Sequence, residues 1–374
     1  MKLSTRWIVA LTVISGACFS GALKCTAEEE TAVVDGTEAA EHAAAALRKK
    51  DPAWKPTCSQ VGLIQIGDSK KPGALKSFCL NADGNILACF APDESAKSSD
   101  AKNAPGVRLY SPDGKLLKTM PLEIKPGVIC VVKDGSIFVA GDGRVLKLDA
   151  DGKVLASVVS PVANEPVVIT KEVEEMVKQS KRPFEEEIAR MKTSLEKRRT
   201  DVTGLAATEQ DVFMAVGAPN DFTYRVYRFD HALENPKLVT EKLRGCCGQM
   251  DIQAHDGKLW IAHNARHGVE SRDRDGKELS KFGTKGKVKP SDFGGCCEPK
   301  NMRVLPNGDI LAAESDTPIC IKRFSADGKF LELIAVAEGK GDCVRVTVEV
   351  SPDGRRYYML DAFHDAIRVF AAKS

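Results

Sequence analysis

The sequence predicts an all-β chain folded as a six-bladed β-propeller, with a helical insertion between blades 2 and 3. Three observations carry that expectation. Short apolar, β-rich runs are punctuated by Asp-Gly or Asn-Gly at 83–84, 113–114, 134–135, 151–152, 256–257, 275–276, 307–308, 327–328 and 353–354, the strongest short-range hairpin signal. These turns alternate between two contexts. In one an apolar run leads in and small or acidic residues follow (CVVKDGSIFVAGD, RVLPNGDILAAE); in the other a basic or aromatic run leads in (VLKLDADGKVLAS, KRFSADGKFLEL). One of each makes a four-stranded meander. The first context recurs at Gly84, Gly135, Gly257, Gly308 and Gly354, with a degenerate sixth copy at Gln210. A period of about 40–50 residues with four strands per unit means propeller blades.

From the N-terminus, residues 1–27 read as a signal peptide. Lys2 and Arg6 give a basic start, Trp7 to Ala17 an apolar run, and Ser20, Gly21 and Ala22 small residues ahead of cleavage after Ala22 or Ala27. The run falls short of the roughly 20 residues a membrane span needs. The chain is therefore expected to be exported, periplasmic or extracellular, with no membrane span after signal cleavage. A lipid anchor at Cys18 lacks the apolar residue expected at the head of its box. Residues 28–56, rich in Ala and Glu, read as a partly disordered linker with a short helix near Glu38 to Lys49. The propeller occupies 57–374. Its last repeat stops after a third strand, IRVFAAKS, and VGLIQIGD at 61–68 is expected to supply the fourth, closing the ring without an open sheet edge.

The insertion spans 171–199, with nine basic and seven acidic residues. Val173, Val177, Phe184, Ile188, Met191 and Leu195 form a helical stripe that Pro183 should break. It is read either as a solvated helix packed on the rim or as a lid over the central opening.

Apolar residues make up 43% of the chain and charged ones 28%, with a net charge of +2. That is enough to bury a large core, and no basic stripe of the kind phosphate backbones require stands out. Nucleic acid is excluded as a partner; a protein, peptide or small-molecule ligand is expected. There is no GxSxG, no Gly-rich phosphate loop and no HExxH.

The sharpest chemical feature is in phase with the repeat. Gly245-Cys246-Cys247, Gly295-Cys296-Cys297 and Gly341-Asp342-Cys343 each precede the first strand of a blade, in blades 4, 5 and 6. Cys320 opens the third strand of blade 5 on the same face. Six sulfurs are thus expected in one sector of one surface. Three readings stay open. Export favours disulfides, between neighbouring blades or from Cys320 to Cys343. Adjacent cysteines bond poorly, because their Cα atoms lie about 3.8 Å apart, below the usual disulfide range. Converging thiolates would suit zinc, copper(I) or an iron–sulfur cluster. Redox-active thiols are the third reading, though no CxxC occurs. Cys79, Cys89 and Cys130 fall inside strands and read as core.

A second constellation, Asp142, His263, Glu314 and Asp361, follows the second strands, with His267 and His364 in the same loops. All should open on the cysteine face. They could bind a divalent cation or act as acid and base, or else bond backbone N–H groups in turns.

The units IFVAGDGRVLKLDADGKVL, LWIAHNARHGVESRDRDGKEL, ILAAESDTPICIKRFSADGKFL and YYMLDAFHDAIRVF resemble NHL repeats. The resemblance covers residues 57–374 apart from the insertion. It implies a binding or scaffold module acting through its cysteine-bearing axial face. It also implies, as an alternative, a metal-dependent hydrolase or lyase, lactonase-like or amidating-lyase-like; the clustered cysteines themselves add a third, a metal-binding or redox protein. The lyase-like members hold zinc with histidines from several blades. Here only His263, His267 and His364 could serve, and they come from adjacent blades.

Overall fold

The computed structural model describes residues 36–92, 104–246, 248–316, 318–339 and 343–373. The segment read as a signal peptide, including Cys18, lies outside them. Helix α1 (Gly36–Arg48) is followed by strand β1 (Cys58–Gln65). Blade 1 is β2 (Leu75–Leu80), β3 (Ile86–Phe90), β4 (Gly106–Tyr110) and β5 (Leu116–Pro121). Blade 2 is β6 (Val128–Val131), β7 (Ile137–Gly141), β8 (Arg144–Leu148) and β9 (Val154–Val159). After helices α2 (Lys171–Lys178) and α3 (Phe184–Arg198), blade 3 is β10 (Val202–Ala207), β11 (Asp211–Gly217), β12 (Thr223–Asp230) and β13 (Lys237–Arg244). Blade 4 is β14 (Ile252–His255), β15 (Lys258–His263), β16 (Gly268–Asp273) and β17 (Glu278–Phe282). Blade 5 is β18 (Asn301–Val304), β19 (Ile310–Glu314), β20 (Ile319–Phe324) and β21 (Phe330–Ala337). Blade 6 takes β22 (Val348–Val350), β23 (Arg356–Asp361) and β24 (Ala366–Ala372) from the C-terminal end and β1 from the N-terminal end.

Every sheet is an antiparallel four-stranded meander, and the first strand of each touches the first strand of the next around to β22 and β2. The ring is therefore closed. Its seam is β1 on β24, in register from Cys58 opposite Ala372 to Gln65 opposite Ala366. Asp365 clasps the seam. Its carboxylate accepts from the backbone N–H groups of Gly73, Ala74 and Leu75 at 2.7, 2.9 and 3.2 Å, and its carbonyl accepts from Ile66 and Gly67.

The turns explain the Asp-Gly spacing. All nine turn glycines have positive φ, between 69° and 98°, a region that costs glycine nothing and L-residues strain. At Asp256-Gly257 both residues are left-handed and His255 pairs with Lys258, a two-residue type I′ hairpin. At Gly84 and Gly308 the hairpin is longer: the glycine N–H donates to the carbonyl three residues back. Second strands such as β3, β7, β11 and β19 are buried along their whole length, because both faces of each blade are covered by its neighbours.

The axis is filled. Gln249, Asp251, Arg303 and Thr347 are among the side chains around a space of only ≈ 30 Å³. Arg303 donates to Gln253 Oε1 at 2.7 Å and pairs with Glu349. Neighbouring first strands are stitched by side chains. Thr203 accepts from Met250 N–H at 3.2 Å, Asp251 from Met302 N–H at 2.9 Å and Asn301 from Val348 N–H at 2.8 Å.

In the stretch read as a linker, α1 packs on β21 with Ala40 and Ala44 buried, and Trp54 is buried against Cys320 and Leu333. Between β9 and β10, α2 ends at Lys178 and α3 starts after Pro183, whose missing N–H suits a helix start. Val173, Val177 and Leu195 are buried, whereas Phe184 is exposed. Helix α3 packs on β11, and Arg198 donates to Thr223 O at 3.1 Å.

Candidate functional site

The segments leading into β14, β18 and β22 bring cysteines of three blades together. Cys296 Sγ lies 3.1 Å from Cys297 Sγ and 3.2 Å from Cys343 Sγ, and Cys297 Sγ lies 3.7 Å from Cys343 Sγ. The sulfurs of Cys246, Cys296 and Cys297 all fall within 4.8 Å of one another. Cys297 is buried, Cys246 half-buried, and Cys296 and Cys343 are exposed. These separations exceed the 2.05 Å of an S–S bond, so no two described cysteines are bonded. They are close to the roughly 3.8 Å between sulfurs set tetrahedrally at about 2.3 Å from a zinc ion.

The sequence expectation of six gathered sulfurs is met for four. Cys247 lies outside the described residues. Cys320 is buried with Trp54 and Leu333, and burial pushes its thiol far above the usual value. Its position at the start of β20 pointed to the right face, but its side chain turns into the core. Cys79, Cys89 and Cys130 are buried in the blade core as expected, and burial raises Cys89 and Cys130 to about 12.

Beneath the cluster sits a residue the sequence reading missed. Lys300 is 1% exposed, and its ammonium donates to Cys297 Sγ at 2.7 Å. A buried cation beside a sulfur favours thiolate over thiol. The signal was available: a lysine directly ahead of a buried strand start, in Glu298-Pro299-Lys300, is costly unless an anion meets it. Glu298 is buried alongside. Its Oε1 accepts from Ser315 N–H, Ser315 Oγ and Asp316 N–H at 3.0 to 3.1 Å, fixing the cysteine segment to the loop after β19. Burial and the nearby Glu314 raise its carboxyl to about 8.

The second constellation does something other than converge. Among the described residues the side chains close enough in threes to share an ion are sulfurs: Cys246, Cys296 and Cys297 lie within 4.8 Å of one another, and Cys343 lies 3.2 and 3.7 Å from the latter two. Asp142 accepts from Lys125 N–H at 2.7 Å, His263 Nε2 from Arg244 N–H at 3.0 Å, and Glu314 from Gly294 N–H at 2.8 Å. Each residue at the end of a second strand thus pins the segment leading into its own blade. In blades 4 and 5 the pinned residue stands two positions before Cys246 and Cys296. His263 Nδ1 faces Glu270 Oε2 at 3.1 Å, which sets the tautomer with Nε2 as acceptor. Burial raises the Glu270 carboxyl, but His263 and Arg272 outweigh it and hold the group below its ordinary value. Asp361 is taken up by Phe363 N–H, His364 and Arg368. His267 Nε2 faces Gly295 O at 3.3 Å, in the segment carrying Cys296. Asn264 accepts from Cys246 N–H at 3.0 Å. His263, His267 and Glu314 are supports of the cysteine segments in this geometry, whereas Asp142 holds the segment ahead of blade 2 and Asp361 and His364 bond within blade 6.

On the opposite mouth of the ring, where first strands turn into second strands, a cavity of ≈ 440 Å³ is lined by Asn81, Arg303, Arg323 and Tyr357 among others.

No protein-family model matches the chain, and no curated protein is similar to it. Solved structures are. A protein of unknown function from Bacteroides thetaiotaomicron VPI-5482 is 13% identical, with a TM-score of 0.52 over 84% of this chain and 76% of that one. A gluconolactonase from Xanthomonas campestris is 11% identical, with a TM-score of 0.49 over 83% and 91%. The Pan2 WD40 domain of Neurospora crassa is 10% identical, with a TM-score of 0.48 over 85% and 96%. At such identities a likeness speaks for architecture alone. The six four-stranded meanders closed into a ring identify the chain as an all-β, six-bladed β-propeller.

Proposed function

We propose that this propeller is a metal-binding protein whose face holds one soft, thiophilic cation through Cys246, Cys296, Cys297 and Cys343. The observation that carries this reading is the convergence of sulfurs from two blades at 3.1 to 3.7 Å, with Cys246 of a third blade within 4.8 Å of Cys296 and Cys297 and the Lys300 ammonium on the buried sulfur. Thiolate donors select zinc, copper(I) or cadmium over hard cations. Four thiolates around a divalent ion carry excess negative charge, and Lys300 offsets part of it. His263, Asn264, Glu298 and Glu314 serve the site by fixing the segments that bear the ligands, as outer-shell partners do elsewhere. The NHL-like repeat supplies the frame, and the basic and apolar start of the chain supports export. The hydrolase or lyase alternative draws no support from Asp142, His263, Glu314 and Asp361, which are engaged by backbone and side-chain partners.

The test is a titration of fully reduced protein with zinc and cadmium under argon, read by elemental analysis and by the cadmium–thiolate charge-transfer band. One ion per chain is expected, and Cys297→Ser should weaken binding at least tenfold. Reduced protein that retains no stoichiometric metal overturns the reading.

Binding of a small ligand is a second reading, favoured by the ≈ 440 Å³ cavity on the opposite mouth, a size typical of ligand sites. Arg323 is engaged there by Asp309 and Glu332. A polar, uncharged ligand suits it better than an anion, and a thermal-shift screen with Tyr357→Ala as control tests this.

A further inference from the structure

We propose that the thiolate site is redox-gated: a two-electron oxidant joins Cys296 to Cys343 and expels the metal. The inference rests on the metal-binding reading and adds its regulation. Four features of the cluster support it. First, the two sulfurs stand 3.2 Å apart, so a shift of about 1.2 Å brings them to bonding distance. Second, both are exposed, whereas Cys297 is fully buried, so an oxidant in solution meets this pair before it meets the third sulfur. Third, the rival bond is unfavourable. Cys296 and Cys297 are adjacent, and a trans peptide holds their Cα atoms about 3.8 Å apart, under the usual range for a disulfide. Fourth, Lys300 stays with Cys297 Sγ at 2.7 Å, holding that sulfur inward. Cys296 and Cys343 also lead into different blades, so their bond is an inter-blade staple that leaves the meanders intact.

With a peroxide as oxidant the step balances. The Cys343 thiolate attacks a peroxide oxygen, the O–O bond breaks, and a sulfenic acid and a hydroxide form. The Cys296 thiolate then attacks that sulfur, the S–S bond forms, and a second hydroxide leaves. Two protons turn the hydroxides into water, and the two electrons have passed from sulfur to peroxide. Cys246 and Cys297 remain as donors, two where there were four, so the ion departs. A dithiol reductant reverses the change by attack on an exposed sulfur.

The experiment uses the full chain, reduced, loaded with one equivalent of zinc and freed of excess. Hydrogen peroxide is added, zinc release is followed with a chromogenic chelator, and the bridge is mapped by mass spectrometry of non-reduced peptides. Expected are release of one zinc per chain, a peptide pair linking Cys296 to Cys343, and recovery of binding with dithiothreitol. Cys296→Ser and Cys343→Ser should each keep three sulfurs, bind zinc more weakly, and lower the rate of oxidant-driven release at least tenfold. Zinc retained through oxidation, or released without a Cys296–Cys343 link, overturns the gate while leaving the metal site standing. Reduced protein that never holds zinc overturns the metal reading, and the gate with it. Because the bridge is mapped on the unaltered chain, a serine variant that misfolds does not decide the outcome.

Discussion

Replacing Asp251 with Asn should make the propeller more stable at neutral and alkaline pH and leave it nearly unchanged only below about pH 4. Asp251 is buried at the axis, and its Oδ2 accepts from Met302 N–H at 2.9 Å. Burial pushes its carboxyl from 3.8 up to about 7, against the backbone donors and the charges of Arg303 and Arg345, which pull it down. Between these two values the folded chain keeps a proton that the unfolded chain has lost. Its contribution is therefore fully present below about pH 4 and is lost as pH rises through about 7. At 1.36 kcal/mol per unit, the part falling between pH 5 and pH 8 is about 2.5 kcal/mol. Asn keeps the acceptor oxygen and has no proton to lose. The ring shows that a neutral side chain performs this stitch, since Thr203 and Asn301 do so between other blades at 3.2 and 2.8 Å. The assay is urea unfolding of both proteins at pH 5 and pH 8, followed by tryptophan fluorescence. The gap between variant and parent should widen in favour of Asp251→Asn by about 2.5 kcal/mol on going to pH 8. A gap independent of pH, or a variant that loses more at pH 8 than at pH 5, refutes the reasoning.

Three further outcomes are expected. Lys300→Met should lower zinc affinity roughly 10-fold or more at neutral pH and slow alkylation of Cys297 in metal-free protein; equal alkylation rates would show that the ammonium does not favour the thiolate. His263→Ala leaves Arg244 N–H without its acceptor and frees the segment ahead of Cys246. It should cost about 1–3 kcal/mol of stability and weaken zinc binding, whereas His263→Gln should restore part of both; a variant with parental affinity would separate His263 from the site. Asp365→Ala strips three backbone N–H groups of their acceptor at the seam, so it should destabilise the chain by about 3 kcal/mol or more and expose the β1–β24 edge to proteolysis near residue 70; a melting temperature within a degree of the parent would refute the clasp.

The period of the turns carried the architecture. Nine glycines at fixed offsets demand left-handed backbone, and left-handed backbone in that rhythm makes four-stranded meanders. Closure was legible because the last repeat lacked one strand and an early run could supply it. The phase of Cys246, Cys296 and Cys343 within the repeat was legible for the same reason, since equivalent positions in equivalent blades face the same way. Rotamers and burial are not periodic. Cys320 shares the right face by register, yet its side chain goes inward beside Trp54, a residue 266 positions away in the chain. Asp142, His263 and Glu314 have the chemistry of catalysts, but each reaches a backbone N–H of the segment leading into its blade, a contact that depends on how loops fold over the blade end. Lys300 stands three residues from Cys297, and only the packed strand start decides that its ammonium meets the sulfur instead of water. The sequence alone determined the repeat, the ring and the face, because local backbone chemistry is written residue by residue. Which sulfurs meet, and which charge lies under them, was decided by tertiary structure, because those distances join different blades through space.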